Sequence, residues 1–290
     1  MVRTHYKYYI SINNIMDNGN LRKLQLLQTK CLLEVKRICE KHNIQYFLFC
    51  GTLLGAARHQ GFIPWDDDID IGMLRSDYQH FIKVCETELS PDFFLQTKES
   101  DENYALPFAK LRLRGTRRIE KSSASTNIDT GIDIDIVPHD AVSANPSIVW
   151  LHGMFCWMLR SMYAYKCGYQ LVNEKTPGIK KIAAMFCIFS SFFITKTTLS
   201  HLMDKVYQIN NNKNTIYVAS LSEMRPKDAV MKLVEVMNQV FLPFEGVEHP
   251  VPACYHEYLS NYYGADYMEM PPEEKRRQHD IIELDFGAYE

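Results

Sequence analysis

Residues 64–73 read Pro-Trp-Asp-Asp-Asp-Ile-Asp-Ile-Gly-Met, which places Asp66, Asp68 and Asp70 on one parity and Ile69 and Ile71 on the other. In an extended strand alternate side chains leave opposite faces, so these carboxylates project together while the isoleucines pack. The stretch Gly131-Ile132-Asp133-Ile134-Asp135-Ile136-Val137-Pro138 repeats the pattern. Side by side, two such strands bring several carboxylates within a few ångströms. Like charges that close raise one another's pKa unless a cation sits among them, and a divalent metal site is the simplest account. An EF-hand does not fit. Counting from Asp66, its sixth and twelfth positions are Ile71 and Asp77, where the calcium loop needs Gly and a bidentate Glu. Mg²⁺ or Mn²⁺ in phosphoryl chemistry fits better, because such ions are held by a few carboxylates plus substrate phosphates and two of them clamp the entering and leaving oxygens of a displacement.

The elements that must position these residues are legible around them. Leu24, Leu27, Cys31, Val35 and Ile38 follow helical spacing over residues 21–41, with Asn20 as N-cap and His42-Asn43 as the stop. Residues 45–50 form a short apolar, aromatic run that reads as a buried strand, broken at Gly51-Thr52 before a short helix. Such a turn offers backbone N–H groups and a hydroxyl to a phosphate, and Arg58, Lys110 and Arg112 would neutralise the remaining phosphate charge. Ser76-Asp77-Tyr78-Gln79 has the form of a capping box opening a helix that carries Tyr78, Phe81, Ile82 and Cys85. Residues 105–114 read as a strand with Lys110, Arg112 and Arg114 alternating against Leu111 and Leu113, and residues 117–120 continue it past a turn at Gly115. A polar loop over 121–130 leads to the second acidic strand. Asn145-Pro146 then starts a predominantly helical stretch to about residue 212. The tail returns to mixed structure, with a strand near 216–219, an apolar run at 240–244 and a helix around 255–263.

A chain of 290 residues has ample core for one large domain or two small ones. Its net charge of −3 gives no electrostatic case for nucleic acid as a partner. The eight cysteines are scattered without a CxxC pair, which argues against a zinc ribbon or a disulfide framework and for a reducing cytoplasm. The first twenty residues lack the apolar core and cleavage site of a signal peptide. Residues 182–194, IAAMFCIFSSFFI, are too short for a bilayer, which needs about 20 apolar residues. A buried core helix is the expectation there. Contact with a membrane surface is the alternative, because Lys175, Lys180, Lys181 and Lys196 flank the segment.

The layout resembles the nucleotidyltransferase superfamily typified by DNA polymerase beta, where a Gly-Ser-like turn precedes an Asp-x-Asp strand and a later strand supplies a third Asp; here Thr52 replaces the Ser. The run from Gly51-Thr52-Leu53-Leu54-Gly55 through Gly61-Phe62-Ile63-Pro64-Trp65-Asp66-Asp67-Asp68-Ile69-Asp70 resembles the signature of the LicD family, related to the fukutin-type transferases. The likeness continues at Phe108-Ala109-Lys110-Leu111-Arg112, at Gly131–Pro138, at Leu242-Pro243-Phe244-Glu245-Gly246, at Tyr262-Tyr263-Gly264 and at Pro271–Arg276 with His279. Residues 140–215 carry no matching motif.

The resemblance implies one α/β (α+β) catalytic unit over 1–290, with a nucleotidyltransferase-like mixed sheet in 1–140, a helical insertion over 141–214 and a C-terminal part, 215–290, that completes the site. It implies Asp68 and Asp70 as metal ligands with Asp66 close by, and Asp135 as the third carboxylate, holding metal or accepting the proton of an attacking hydroxyl. Asp133 shares its parity and ranks second. Gly51, Thr52, Arg58, Lys110, Arg112 and His279 are the implied phosphate or substrate contacts, while Asp67 reads as a solvated turn residue and His139 and Asp140 as loop residues. The implied reaction transfers phosphocholine, or a similar phospho-alcohol such as ribitol phosphate, from CDP-choline or another CDP-alcohol to a hydroxyl of a glycan or lipid-linked glycan, releasing CMP. Lipopolysaccharide or teichoic acid is the kind of acceptor implied, reached from the cytoplasm, at the inner face of the membrane if the 182–194 segment docks there. Two alternatives stand beside it: a nucleotidyltransferase that releases pyrophosphate, and a non-catalytic metal-binding accessory protein.

Overall fold

The computed structural model describes residues 17–172, 178–222 and 226–289. Its elements run α1 (Asn18–His42), β1 (Phe47–Leu48), α2 (Cys50–His59), β2 (Asp70–Leu74), α3 (Arg75–Glu88), β3 (Phe93–Gln96), β4 (Ala109–Leu113), β5 (Arg117–Glu120) and β6 (Ile132–Val142). Then follow α4 (Pro146–Lys166), α5 (Gly178–Ser191), α6 (Lys196–Tyr207), β7 (Tyr217–Ala219), β8 (Met231–Lys232), α7 (Leu233–Met237), β9 (Gln239–Phe244), β10 (Val247–Pro252), α8 (Tyr255–Tyr263) and β11 (Ile281–Asp285). The chain is a mixed α/β fold.

The central sheet has the order β1-β2-β6-β4-β3, extended by β7 and β8 from the far end of β6. Its two acidic strands are parallel neighbours, with Asp70 opposite Asp135, and β4 lies antiparallel on the other side of β6, with Lys110 opposite Asp135 and Arg112 opposite Asp133. Strand alternation separates the two faces. Ile71, Met73, Leu111, Leu113, Ile134 and Ile136 join the main core with Leu32, Val35 and Ile38 of α1 and Phe81 of α3, while Asp133, Asp135, Lys110 and Arg112 share the opposite parity. A second core cluster joins Val149, Cys156, Leu159 and Met162 of α4 to Cys187, Leu199 and Met203 of the next two helices and Ala219 of β7.

Several local expectations are corrected. Asp17, not Asn20, caps α1 by accepting from the Asn20 N–H at 2.7 Å, and Asn43 ends it at φ 53°. No capping box forms at Ser76. The third helix opens at Arg75, and Asp77 accepts instead from the Gln45 N–H at 3.2 Å. The expected strand at 45–50 shrinks to two residues, because Cys50 takes φ 44° and starts α2; Gly51 and Thr52 therefore lie in a helical first turn. The strand expected at 105–114 narrows to β4. Residues 117–120 do not continue it but pair with β11 in a separate two-stranded sheet. His139 and Asp140 are not loop residues. The sixth strand runs on to Val142, burying His139 between the Phe47 and Phe49 rings and Asp140 beneath Arg75 and Asn211.

The 182–194 segment departs furthest from expectation. Instead of being buried, α5 turns Ile182, Met185, Phe186 and Phe189 outward at 58–70 % exposure and buries the small side chains of Ala184, Cys187 and Ser191. Among the described residues, no single helix is long and apolar enough to cross a membrane. Lys175 lies outside the described residues.

Two tests follow from this packing. A Cβ on Gly55 would meet the Gly61 carbonyl oxygen at 2.5 Å, so Gly55→Ala should displace the loop that leads into the acidic run and lower stability by about 1–3 kcal/mol, read as a fall in melting temperature. Glu34 joins α1 to the end of α3 by accepting from Arg37 and the Ser90 N–H. The Arg37 hydrogen bonds, helped by Ser90 and opposed by burial, hold its carboxyl at about 2 against an ordinary 4.5. A depressed carboxylate stabilises above its unfolded pKa and loses that contribution as pH falls through the folded value. Glu34→Gln should therefore cost about 1–2 kcal/mol at neutral pH, discounted for the exposed Arg37. In urea titrations the gap from the parent chain should narrow as pH falls from 4.5 towards 2.

Candidate active site

The site forms where the two acidic strands emerge side by side. Thr52 is buried, and its hydroxyl oxygen accepts from the Asp70 N–H at 2.8 Å, while the Phe49 N–H donates to the Asp70 carbonyl at 3.1 Å. These bonds fix the start of β2, and the Asp135 N–H donates to the Ile69 carbonyl at 2.8 Å to set the register. Gly51 lies against the same run, since a Cβ there would come within 2.8 Å of Asp66 Oδ2.

Lys110 is the cation of the row. Its Nζ donates to Asp133 Oδ2 and to Asp135 Oδ1, each at 2.5 Å. Asp133 also accepts from Arg112 Nη1 at 3.1 Å and Arg118 Nη1 at 3.3 Å. Burial would push Asp133 up, but Lys110, Arg112 and Arg118 together hold it well below the usual carboxylate range. Asp135 fares differently. Burial, with the charges of Asp133 and Asp68, outweighs Lys110 and raises it to about 6.

Asp66, Asp67 and Asp68 each offer a carboxylate oxygen within 4.8 Å of the others. Burial first, then Asp68 and Asp67, push Asp66 well above the usual range. Asp67 is not the solvated turn residue its position suggests. It is 1 % exposed and accepts from the His279 N–H at 3.0 Å, with His279 Nδ1 at 2.9 Å. Burial opposes the ionised form of Asp67, but the His279 contacts and Arg118 win and lower it. The same hydrogen bond raises His279 to about 9 against burial. Asp66 and Asp68 therefore keep carboxylate oxygens that Asp67 does not. A hydrogen bond between these two carboxyls needs a shared proton, the position a divalent ion takes over in an all-oxygen site.

A cavity of about 310 Å³ opens here, lined by Asp68, Lys110, Arg112, Asp133, Asp135 and His279 with Arg118, Glu120, Tyr104, Phe108 and Tyr169. Asp70 pairs with Asp135 across the two strands, but neither it nor Asp66 is among the residues that line the cavity. The fold does not bring Arg58 here. It sits at the other end of α2, where Nη1 donates to the Tyr267 and Glu269 carbonyls. Arg112 lines the cavity with its guanidinium committed to Gln96, the Gly131 carbonyl and Asp133. Trp65 packs against the core with the Arg276 guanidinium 4.7 Å above its ring.

Arg118 is the residue that sequence reasoning missed. Its side chain is 2 % exposed, Nε and Nη2 make no hydrogen bond, and Asp133, Glu120 and Asp67 raise its pKa against burial. Buried donors without acceptors are rare; Nη2 lies 3.9 Å from Asp67 Oδ2, and Arg118 is among the residues that line the cavity. No sequence pattern marked it; only the structure shows it as the one buried position of β5.

Removing Lys110 would leave two buried carboxylates short of a cation. Lys110→Met should destabilise by about 3 kcal/mol. Adding Asp135→Asn should recover part of the loss, a coupling measured as a double-mutant cycle in urea.

A family model described as LicD/FKTN/FKRP, nucleotidyltransferase domain, matches residues 43–120. The chain is 31% identical over 272 residues to the lipopolysaccharide cholinephosphotransferase LicD of Haemophilus influenzae, covering 92% of this chain and 98% of that one. A shorter stretch of 40 residues is 48% identical to the ribitol 5-phosphate transferase FKRP of Homo sapiens, covering 14% of this chain and 8% of that protein. An uncharacterized protein of Rickettsia typhi matches over 75 residues at 49% identity, 24% of each chain. Similarity at this level along almost the whole of both chains, together with the matched domain model, settles the relationship: the chain belongs to the LicD/FKTN/FKRP family.

Proposed function

We propose that this chain is a metal-dependent phosphotransferase that moves phosphocholine from a CDP-linked donor to a hydroxyl of a cell-surface glycan or its lipid-linked precursor, releasing CMP. The observation that carries the reading is the row Asp70, Asp135 and Lys110 across three neighbouring strands, beside Asp68 and a cavity walled by cations and aromatic rings. The name of the Haemophilus relative, a lipopolysaccharide cholinephosphotransferase, supports the choline cargo and the glycan acceptor.

Asp66, Asp68, Asp70 and Asp135 are the residues that would hold Mg²⁺ or Mn²⁺. When bound, the ion neutralises diphosphate charge and stabilises the departing nucleotide. Asp135, paired with Asp70 across the strands and contacted by Lys110, would hold the ion or accept the proton of the attacking hydroxyl. Lys110 orients it and keeps the remaining carboxylate charge in check. Arg118 lines the cavity and places a guanidinium charge beside the site of a phosphate group. His279, charged at neutral pH and clasped by Asp67, closes the acidic loop from the C-terminal side. Phe108 and Tyr169, partly exposed, border the same cavity and offer aromatic faces to a quaternary ammonium. Gly51 leaves room for the Asp66 carboxylate, and Thr52 positions Asp70 through its backbone.

The test is CMP release from CDP-choline, with Mn²⁺ or Mg²⁺ against EDTA. Asp135→Asn and Asp70→Asn should each lower the rate about 10²–10⁴-fold. Tyr169→Ala should raise KM for CDP-choline about 3–20-fold and leave CDP-ribitol or CDP-glycerol unaffected. Pyrophosphate as the product from a nucleoside triphosphate, without CMP release from any CDP-alcohol, would replace this reading with nucleotidyl transfer.

A further inference from the structure

The helices between β6 and β7 break the usual rule for a helix on a protein surface, which buries its large apolar side chains and exposes its polar ones. Ile182, Met185, Phe186 and Phe189 of α5 stand outward at 58–70 % exposure, followed by Phe192 at 69 % and Phe193 at 75 %. The inward face of the helix is Ala184, Cys187 and Ser191. Its neighbour α4 does the same, with Trp150 53 %, Phe155 51 % and Trp157 37 % exposed. Contiguous exposed apolar surface of this kind marks an interaction site.

Charge identifies what covers it. Residues 141–203 hold six basic side chains (Arg160, Lys166, Lys175, Lys180, Lys181 and Lys196) against one acidic, Glu174, in a chain whose net charge is −3. Acids are scarce there, so the stretch whose apolar side chains are exposed carries net positive charge. Lys180 and Lys181 are exposed at the start of α5, next to the outward apolar row. A helix with aromatic and aliphatic side chains on one face and lysines at its border lies in the interface of an anionic bilayer. Among the described residues no single helix is long and apolar enough to cross one, and α5 and α6 meet at a bend of 120°.

We propose that α4 and α5 form a peripheral docking surface for an anionic lipid bilayer, with the outward rings of α5 entering the headgroup boundary. The surface adjoins the site. Phe192 packs edge-on to Tyr165 with ring centroids 6.2 Å apart, Lys196 donates to the Glu102 carbonyl at 2.5 Å, and Tyr169, just past α4, lines the 310 Å³ cavity. Docking there holds the cavity beside the headgroups, where the glycan of a lipid-linked acceptor begins. Only that last point rests on the proposed transfer reaction.

The test is co-sedimentation of the full chain with vesicles of phosphatidylglycerol and phosphatidylcholine in equal parts, against phosphatidylcholine alone. No donor is present, so failure here leaves the transfer reaction untouched, and a failed CMP assay leaves the docking surface untouched. Binding to the anionic vesicles, weakened by salt, is expected, with Trp150 and Trp157 emission quenched by brominated acyl chains. Lys180→Gln/Lys181→Gln should weaken binding about 25-fold. Phe186→Ser/Phe189→Ser/Phe193→Ser should abolish it while keeping the parent melting temperature, since these rings are exposed. The tryptophan readout and the salt dependence need no variant and stand if a variant misfolds. No vesicle binding by the parent chain, unquenched tryptophans, or equal binding by either variant overturns the proposal. So does a dimer by light scattering that the triple variant dissociates without any vesicle binding, which would make a second copy the occupant.

Discussion

Aspartates crowded on two parallel strands and the loop that feeds one of them cannot all ionise without cations, and much of the structure answers that constraint. Asp133 is satisfied by Lys110 and Arg112 from β4 and Arg118 from β5. Asp67 is satisfied by His279, more than two hundred residues away. Asp140, at the end of β6, takes a two-pronged contact from Arg75 and a further bond from Asn211. Protein groups thus neutralise these carboxylates, and they are part of the framework. Asp66 and Asp135 are pushed upward by burial and by neighbouring carboxylates, which the cations near them do not outweigh.

The same requirement explains why distant segments converge on the acidic loop. Glu245, in the turn between β9 and β10, accepts from Arg22 at 2.6 Å and from the Phe62 N–H at 3.2 Å. The eleventh strand pairs with β5 and thereby holds Arg118 under Asp133. The segment carrying His279 enters that strand directly. A C-terminal region that looks like a charged tail in sequence is in fact one wall of the site.

What could be read from the sequence was whatever strand parity controls. Ile69 and Ile71 pack while Asp70 faces its partner strand, and Ile134 and Ile136 pack while Asp133 and Asp135 share the polar face. The helices α1 and α8 and the strands β7 and β9 fall where spacing placed them, within a few residues at their ends. Local pattern fails where a residue's partner is remote. Asp67 lies between two ligand candidates and reads as a solvated turn residue, yet it shares the parity of the packing isoleucines and is buried against His279 and Arg118. Arg118 sits in a short basic run whose pairing with β11 no local pattern announces. Gly51-Thr52 looked like a turn because Gly breaks strands, but the positive φ falls on Cys50 and the helix begins one residue earlier. For residues 182–194 composition was informative and its usual inference misled: apolar content implies burial only when the rest of the chain supplies a matching face, and here small residues occupy the inward side.

The size of the cavity links these findings. At about 310 Å³ it is at the small end for ligand pockets, with room for a phosphorylated small alcohol and the hydroxyl that attacks it but not for a lipid. On the proposed reaction, the apolar part of a lipid-linked acceptor must stay outside while one hydroxyl enters. Diffusion of such an acceptor is confined to its bilayer, so the encounter rate depends on the enzyme being held at the same surface. Specificity for the hydroxyl then resides in Lys110, Asp135 and the aromatic walls. Access to it resides in helices that contribute Tyr169 to the cavity rim and none of the candidate acids to its floor. On the proposed docking, the charged site would keep its internal balance of acids and bases, because the surface offered to lipid is built from apolar groups and lysines that belong to other elements.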